Sequence, residues 1–239
     1  MDIFGDALRD RQAGHTGRML TIRRDDDHVD QHDPGLYFLP DPFAHETELL
    51  TLAKGPVLDV GCGAGRTVLW LQQKGLDVTG IDMSPGAVAV ARARGCREVI
   101  LGDVMASGAS LPRSHFETIV VFGNNIGIGG TRDGATTLLR HLAQVVAPGG
   151  QLLVTGLDVA KTDAPHHLAY HQRNVAAGRP KGEISMRFEY AGAIGSWTPW
   201  YHPEPHELEQ IATNSGWRVS QLRPAGGPFF ASVLSRAEP

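Results

Sequence analysis

The chain of 239 residues carries only two cysteines, Cys62 and Cys96. Two are too few for a disulfide framework, a four-thiolate zinc site or an all-thiolate iron–sulfur cluster, so radical chemistry built on such a cluster is excluded. No apolar stretch is long enough to span a bilayer. Positive charge is also short: 22 Lys and Arg stand against 26 Asp and Glu, a formal net charge of −4. A protein that tracks phosphate backbones is normally basic, so neither a nucleic-acid nor a membrane partner is expected. The basic run Arg92, Arg94 and Arg97 has the spacing of a solvated helix end. The first residues, Met1-Asp2-Ile3-Phe4-Gly5-Asp6, are acidic and lack a signal-peptide pattern, so a cytoplasmic location is the expectation. Internal repeats and low-complexity tracts are absent. Apolar residues at 41 % supply a full core.

What is present has a regular order. Residues 1–54 read as an N-terminal helical cap, with Arg23 to Asp27 as a solvated turn and a helix beginning near Asp41-Pro42. From Pro56, short apolar runs alternate with helical stretches. Strands are predicted at Val57–Val60, Leu76–Ile81, Glu98–Leu101, Phe116–Phe122 and Gln151–Thr155, with helices at Thr67–Gln73, Pro85–Arg94 and Asp133–Val146 between them. That alternation implies βαβ units and a parallel sheet buried on both faces. Residues 55–239 then form one domain. After the fifth strand an insertion at about 158–202 holds a hairpin, Glu183–Tyr190 and Ile194–Tyr201 around Ala191-Gly192-Ala193. A helix at Pro203–Asn214 and strands at Trp217–Leu222 and Phe229–Leu234 close the chain.

The central motif is Val57-Leu58-Asp59-Val60-Gly61-Cys62-Gly63-Ala64-Gly65-Arg66. A strand runs into a loop with glycine at alternate positions, and a helix follows. Glycine there lets a ligand press against bare backbone at the carboxyl edge of the sheet. The nicotinamide fingerprint G-x-G-x-x-G fails in both registers, because its last glycine falls on Arg66 or on Val68. Asp59 repels a pyrophosphate and attracts an ammonium. S-adenosylmethionine has an amino-acid end and no phosphate. Asp82, about twenty residues on, has the spacing of an acid that accepts from both ribose hydroxyls. Asp103 is placed to accept from an adenine amino group, with Met83 and Val104 on either side of the ring. Each also has a plainer reading. Asp59 is a carboxylate held by backbone amides, Asp82 caps the helix opened by Ser84-Pro85, Asp103 forms a turn, and Cys62 is a small packing residue.

Gly61-Cys62-Gly63-Ala64-Gly65, Asp82, Asp103 and Pro148-Gly149-Gly150, in that order over roughly residues 55–156, resemble the successive motifs of class I S-adenosylmethionine-dependent methyltransferases. The resemblance implies an α/β, doubly wound, mostly parallel seven-stranded sheet of order 3-2-1-4-5-7-6 with its last strand antiparallel. It implies S-adenosyl-L-methionine as cofactor and a small-molecule acceptor. It also implies that Tyr37 and Phe38 close the cofactor pocket, and that the loop after the fourth strand faces the methyl group.

That loop is Phe122-Gly123-Asn124-Asn125-Ile126-Gly127. Asn124 as a catalytic residue and Asn125 as a substrate contact are one reading; turn chemistry is the other. It lacks the Asn/Asp-Pro-Pro-aromatic motif of base-methylating enzymes. In the insertion, His167 and His171 are four apart and share a face if helical, as catalytic bases or as surface residues. They also suit a metal, but no partner carboxylate stands at a recognisable spacing, so no metal is assigned. Tyr170, Arg173, Trp197, Trp200 and Tyr201 are candidate substrate contacts, the last three as an aromatic lid or as hairpin packing. O- or N-methylation is favoured over C-methylation. A module that binds the cofactor without transferring methyl, and a nicotinamide-dependent oxidoreductase, are the alternatives. The acceptor and the oligomeric state are not legible.

Overall fold

The computed structural model describes residues 1–106 and 111–237. Helix α1 (Ile3–Gln12) is followed by an antiparallel pair, β1 (Leu20–Arg24) and β2 (Val29–His32), then a 3-10 turn over Pro34–Phe38 and helix α2 (Ala44–Leu50). Residues 1–54 are therefore helical only in part. Arg23 and Arg24, expected in a solvated turn, lie in β1, and Arg24 is buried. The reason is distant in sequence. β1 pairs with β8 (Glu183–Tyr190), setting Ile22 against Phe188, and no local pattern announces such a partner.

The main sheet begins with β3 (Val57–Val60), all four residues buried as a central parallel strand requires. Helix α3 (Arg66–Gln73), β4 (Val78–Asp82), α4 (Pro85–Ala93) and β5 (Glu98–Leu101) follow, then β6 (Phe116–Val121), α5 (Arg132–Val145) and β7 (Val146–Leu157). Ser84 caps α4 by accepting from Ala87 N–H, and Pro85 stands at the first turn where its missing donor costs nothing. α5 buries Leu138, Leu139, Leu142 and Val145 at helical spacing. The Pro148-Gly149-Gly150 turn is absorbed into β7, whose register against β6 shifts there.

Helix α6 (Pro165–Ala176), β8, the two-residue β9 (Ala193–Ile194) and β10 (Thr198–Tyr201) make up the insertion. Ala191 and Gly192, both left-handed, form its tight turn. Helix α7 (Pro205–Thr213), β11 (Trp217–Pro224) and β12 (Phe229–Arg236) finish the chain. The seven-stranded order is β11-β12-β7-β6-β3-β4-β5, with β12 antiparallel to both neighbours. Numbered along this sheet, that is 3-2-1-4-5-7-6, as expected. The second sheet, β10-β8-β1-β2 with β9 beside β8, joins the N-terminal segment to the insertion. Helix α1 bridges the two sheets. Its Gly5 backs onto Gly86 of α4, where a Cβ would overlap the facing backbone, and Phe4 stacks on Phe188 of β8. Among the described residues no helix is long and apolar enough to cross a membrane.

Candidate active site

Strand β3 delivers the chain to the carboxyl edge of the sheet, and the loop after it holds Gly61, Gly63 and Gly65 at φ of +70°, +53° and +78°. Alternating left-handed residues are what L side chains resist. Two of the positions are closed for a further reason. A Cβ at Gly61 would strike the Asn125 amide, and one at Gly65 would strike Cys96 Sγ. The loop is pinned at Gly61, whose N–H donates to Ile81 O at 2.8 Å, and at Gly63, whose N–H donates to Asp82 Oδ2 at 2.8 Å.

The two acids differ. Asp82 accepts a second bond from Ser84 N–H at 2.9 Å, so it ties the glycine loop to the start of α4, while Ser84 is the cap itself. Burial raises its pKa and these backbone bonds oppose the rise. Each oxygen keeps a lone pair for another donor. Asp59 is 4 % exposed, and among the described residues no hydrogen-bond donor meets its carboxylate. Burial, with Glu46 adding to it, pushes its pKa up to about 7, against a counter-pull from Arg66. A buried carboxylate in that condition suits an incoming cation. The reading of Asp59 as a carboxylate satisfied by amides does not hold.

Glu46 was not singled out in the sequence, and Arg66 only as a residue that breaks the nicotinamide fingerprint. They form a partly buried pair at 2.6 Å near Asp59, with the Arg66 guanidinium stacked over Phe43. Tyr37 packs edge-on against Phe4, and both approach Gly63, so α1 and the 3-10 turn wall the glycine loop. Phe38 lies under Arg94 instead. Met83 is 70 % exposed, free to cover a ring. Val104 is buried in the core, and Asp103 accepts from Met105 N–H at 2.8 Å as a turn former, so the adenine contacts assigned to these two are not evident. Cys62 is buried against Gly80 with its thiol pushed far up, a packing residue.

The neighbouring loop separates its two asparagines. Asn125 donates to Val60 O at 2.8 Å and Gly61 O at 3.1 Å, latching the glycine loop, so its amide nitrogen is taken and the substrate contact read from the sequence becomes a support. Asn124 sits at φ +65°, a left-handed conformation that asparagine tolerates best among side-chain-bearing residues. It lines a narrow cavity with Thr155 and Leu157 of β7, Tyr201, His202 and Phe230. Thr155 Oγ1 steadies this corner by accepting from Gly123 N–H. The Tyr201 hydroxyl is directed at Glu207, and among the described residues His202 Nδ1 is buried without a partner. His202, Thr155 and Phe230 were missed in the sequence; a histidine closing a strand carries no local signal.

The remaining candidates lie elsewhere. His167 and His171 do share a face of α6, but that face meets Arg24 of the second sheet, and neither residue lines the cavity. His167 Nδ1 is 3.1 Å from Arg24 Nη1, and its ring packs with His28 and His166. The Tyr170 ring is sandwiched by Arg24 and Arg173, and its hydroxyl donates to Asp25 Oδ1 at 2.7 Å. Arg173 pairs with the same oxygen at 3.0 Å. Both are spent in docking α6 onto the second sheet. The aromatic lid also divides. Trp197 lies exposed under Arg187, Trp200 packs on the turn at Gly127, and Tyr201 alone reaches the cavity.

Residues 57–150 match a family model described as "Methyltransferase domain". A ubiquinone biosynthesis O-methyltransferase of Xanthomonas oryzae pv. oryzae is 30 % identical over 124 residues, 50 % of this chain and 49 % of that protein. The chain thus spans about half the length of the curated relatives it matches. A SAM-dependent methyltransferase from Bacteroides fragilis, solved with S-adenosyl-L-homocysteine, superposes with a TM-score of 0.85 at 24 % identity, covering 99 % of this chain and 95 % of its own. The CcbJ methyltransferase of Streptomyces caelestis gives 0.62 at 18 % identity, over 83 % and 91 %.

Proposed function

We propose, from the match of residues 57–150 to a methyltransferase domain, that the chain is a class I S-adenosylmethionine-dependent methyltransferase that transfers the methyl of S-adenosylmethionine to a hydroxyl of a small organic molecule. One observation carries the reading: a left-handed glycine turn lies between two buried acids, one of them without a partner. Asp59 would balance the ammonium of the amino-acid end and Asp82 would take ribose hydroxyls, while Met83 covers the base. The sulfonium supplies an already activated methyl, so the protein's task is alignment and exclusion of water. The cavity beside Asn124 opens at the same sheet edge, and no charged side chain lines it. At about 10 Å³ it has no room for an acceptor as it stands; a small-molecule acceptor rather than a nucleic acid is supported by the formal net charge of −4. Oxygen as the methylated atom is supported by the printed activity of the Xanthomonas relative.

A calorimetric titration with S-adenosylmethionine tests the premise. Wild type is expected to bind at one site, and Asp82→Ala to bind at least ~10-fold more weakly, the worth of about 1.4 kcal/mol. No heat of binding in wild type would sink the proposal. The narrowness of the cavity favours a second reading, a module that binds the cofactor and transfers nothing. Binding without methyl transfer to any of a panel of phenols, alcohols and amines would favour it.

A further inference from the structure

The turn between β1 and β2 and the start of α6 bring three imidazoles together. His28 closes the turn just after the left-handed Asp27, and His166 and His167 stand in the first turn of α6. The ring centroids are 4.4 Å apart for His28 and His166, 4.9 Å for His28 and His167, and 4.1 Å for His166 and His167. Each ring offers a nitrogen within 4.8 Å of one from each of the other two. Among the described residues the buried His28 Nε2 makes no hydrogen bond. Asp30 Oδ2 stands 3.4 Å from it without forming one.

That spacing has a chemical meaning. Zinc holds imidazole nitrogen and carboxylate oxygen at about 2.0–2.2 Å in a tetrahedron, which sets two ligand atoms about 3.4 Å apart. His28 Nε2 and Asp30 Oδ2 already have this separation. The histidine nitrogens have at most about 1.4 Å to close from their 4.8 Å limit. His166 is exposed, so its ring is free to swing and the site is open to ions from solvent.

The surroundings suit a cation. Among the described residues Asp30 pairs with no lysine or arginine, and Arg24, the guanidinium beside the cluster, is already matched by Asp26 through two bonds of 2.7 Å. Arg24 Nη1 lies 3.1 Å from His167 Nδ1. A metal on His167 replaces that contact, while Arg24 keeps Asp26 and the Tyr170 ring. Burial, with His166, Arg24 and His28 adding to it, lowers the pKa of His167, so the ring is in its neutral, ligating form at pH 7. The other close set of ligand types, Glu204, His206 and Glu207, is engaged: Glu204 pairs with Lys181 at 3.2 Å, and Glu207 accepts from Glu204 N–H at 2.9 Å.

We propose that His28, His166 and His167, with Asp30 as fourth ligand, bind one zinc ion that staples α6 to the first hairpin. Four protein ligands fill the tetrahedron and leave no open position, so the ion is structural. The site shares no residue with the glycine loop or its acids and stands apart from the methyl-transfer reading.

The test titrates chelator-stripped, untagged full chain with Zn²⁺ by calorimetry near neutral pH. Wild type is expected to bind one ion per chain with Kd below about 1 µM. His28→Ala, His166→Ala and Asp30→Asn should each weaken binding at least ~10-fold, and His206→Ala should not. Zinc at about a hundredfold over Kd should raise Tm by about 5–10 °C in wild type and not in His28→Ala. It should also slow proteolysis within α6. Neither readout needs cofactor or turnover. If His28→Ala fails to fold, the exposed His166 carries the same test. A wild-type Kd weaker than about 100 µM, or wild-type affinity in both His28→Ala and His166→Ala, would overturn the site. Loss of zinc in His206→Ala alone would place the ion on α7 and overturn it too. Wild-type affinity in Asp30→Asn would overturn the fourth ligand.

Discussion

Replacing Asp59 by asparagine should strengthen the fold and weaken the site at once. The carboxyl is buried, unpartnered, and displaced from its ordinary 3.8 to about 7. Its pKa is raised in the folded state, so the unfolded chain ionises first as pH rises. Stability therefore drops between about pH 4 and 7 and stays lower above that range. The full displacement corresponds to about 4 kcal/mol, an upper bound because the chain relaxes around a buried charge. The amide side chain is nearly isosteric and never ionises. Recovering even ~1 kcal/mol would raise Tm by about 2–4 °C at pH 8 for a chain of this size, with the gain vanishing near pH 4. Cofactor binding should move oppositely. A ligand ammonium needs the ionised form, which is only about one-tenth populated at pH 6 if the pKa is 7, so wild-type affinity should rise roughly tenfold from pH 6 to pH 8 with proton release at the acid end. Differential scanning calorimetry and isothermal titration in two buffers of different ionisation enthalpy read both effects. An Asp59→Asn protein less stable than wild type at pH 8, or a wild-type affinity flat across pH 6–8, would refute the reasoning.

Asn125→Ala removes both bonds to the glycine loop; about 1–3 kcal/mol of stability should be lost in urea denaturation, with weaker S-adenosylmethionine binding. Gly65→Ala forces a left-handed alanine against Cys96, and should cost about 2–5 kcal/mol; pairing it with Cys96→Ala should relieve the steric part. Tyr170→Phe leaves Asp25 short of one donor; proteolysis within α6 should accelerate while cofactor binding holds, separating that helix from catalysis. His167, His171 and His202 all lie below the ordinary 6.5 through burial, so wild-type stability should fall as pH drops below 6.5, and His202→Asn should lessen that slope.

The main sheet was legible because most of its parallel strands are short apolar runs bounded by glycine, proline or a capping residue, and βαβ connections leave few topologies. The cofactor loop was legible for the same reason that it works, since alternate glycines are needed where the backbone turns left-handed. What was missed depends on partners far away in the chain. Arg24 looks solvated beside Asp25 to Asp27 until β8, from the last third of the sequence, covers it. Tyr170 and Arg173 look poised for a ligand until Asp25 meets them. Trp197, Trp200 and Tyr201 stand close in sequence, yet strand alternation and the turn at Gly127 send them to different places. His202 was overlooked because what marks it, an unmatched nitrogen in an apolar wall, exists only in three dimensions.

The pairing of Ile22 with Phe188 sets a timetable for synthesis. When the first hairpin leaves the ribosome its partner strand has yet to be made, so one edge of it waits unpaired while the central strands emerge. The nascent protein can build its cofactor loop early, but α1 has only α4 and the 3-10 turn at Pro34–Phe38 to rest on until β8 arrives. A stall just before β8 would thus release a chain with its central sheet largely assembled and one flank open, a natural substrate for a chaperone.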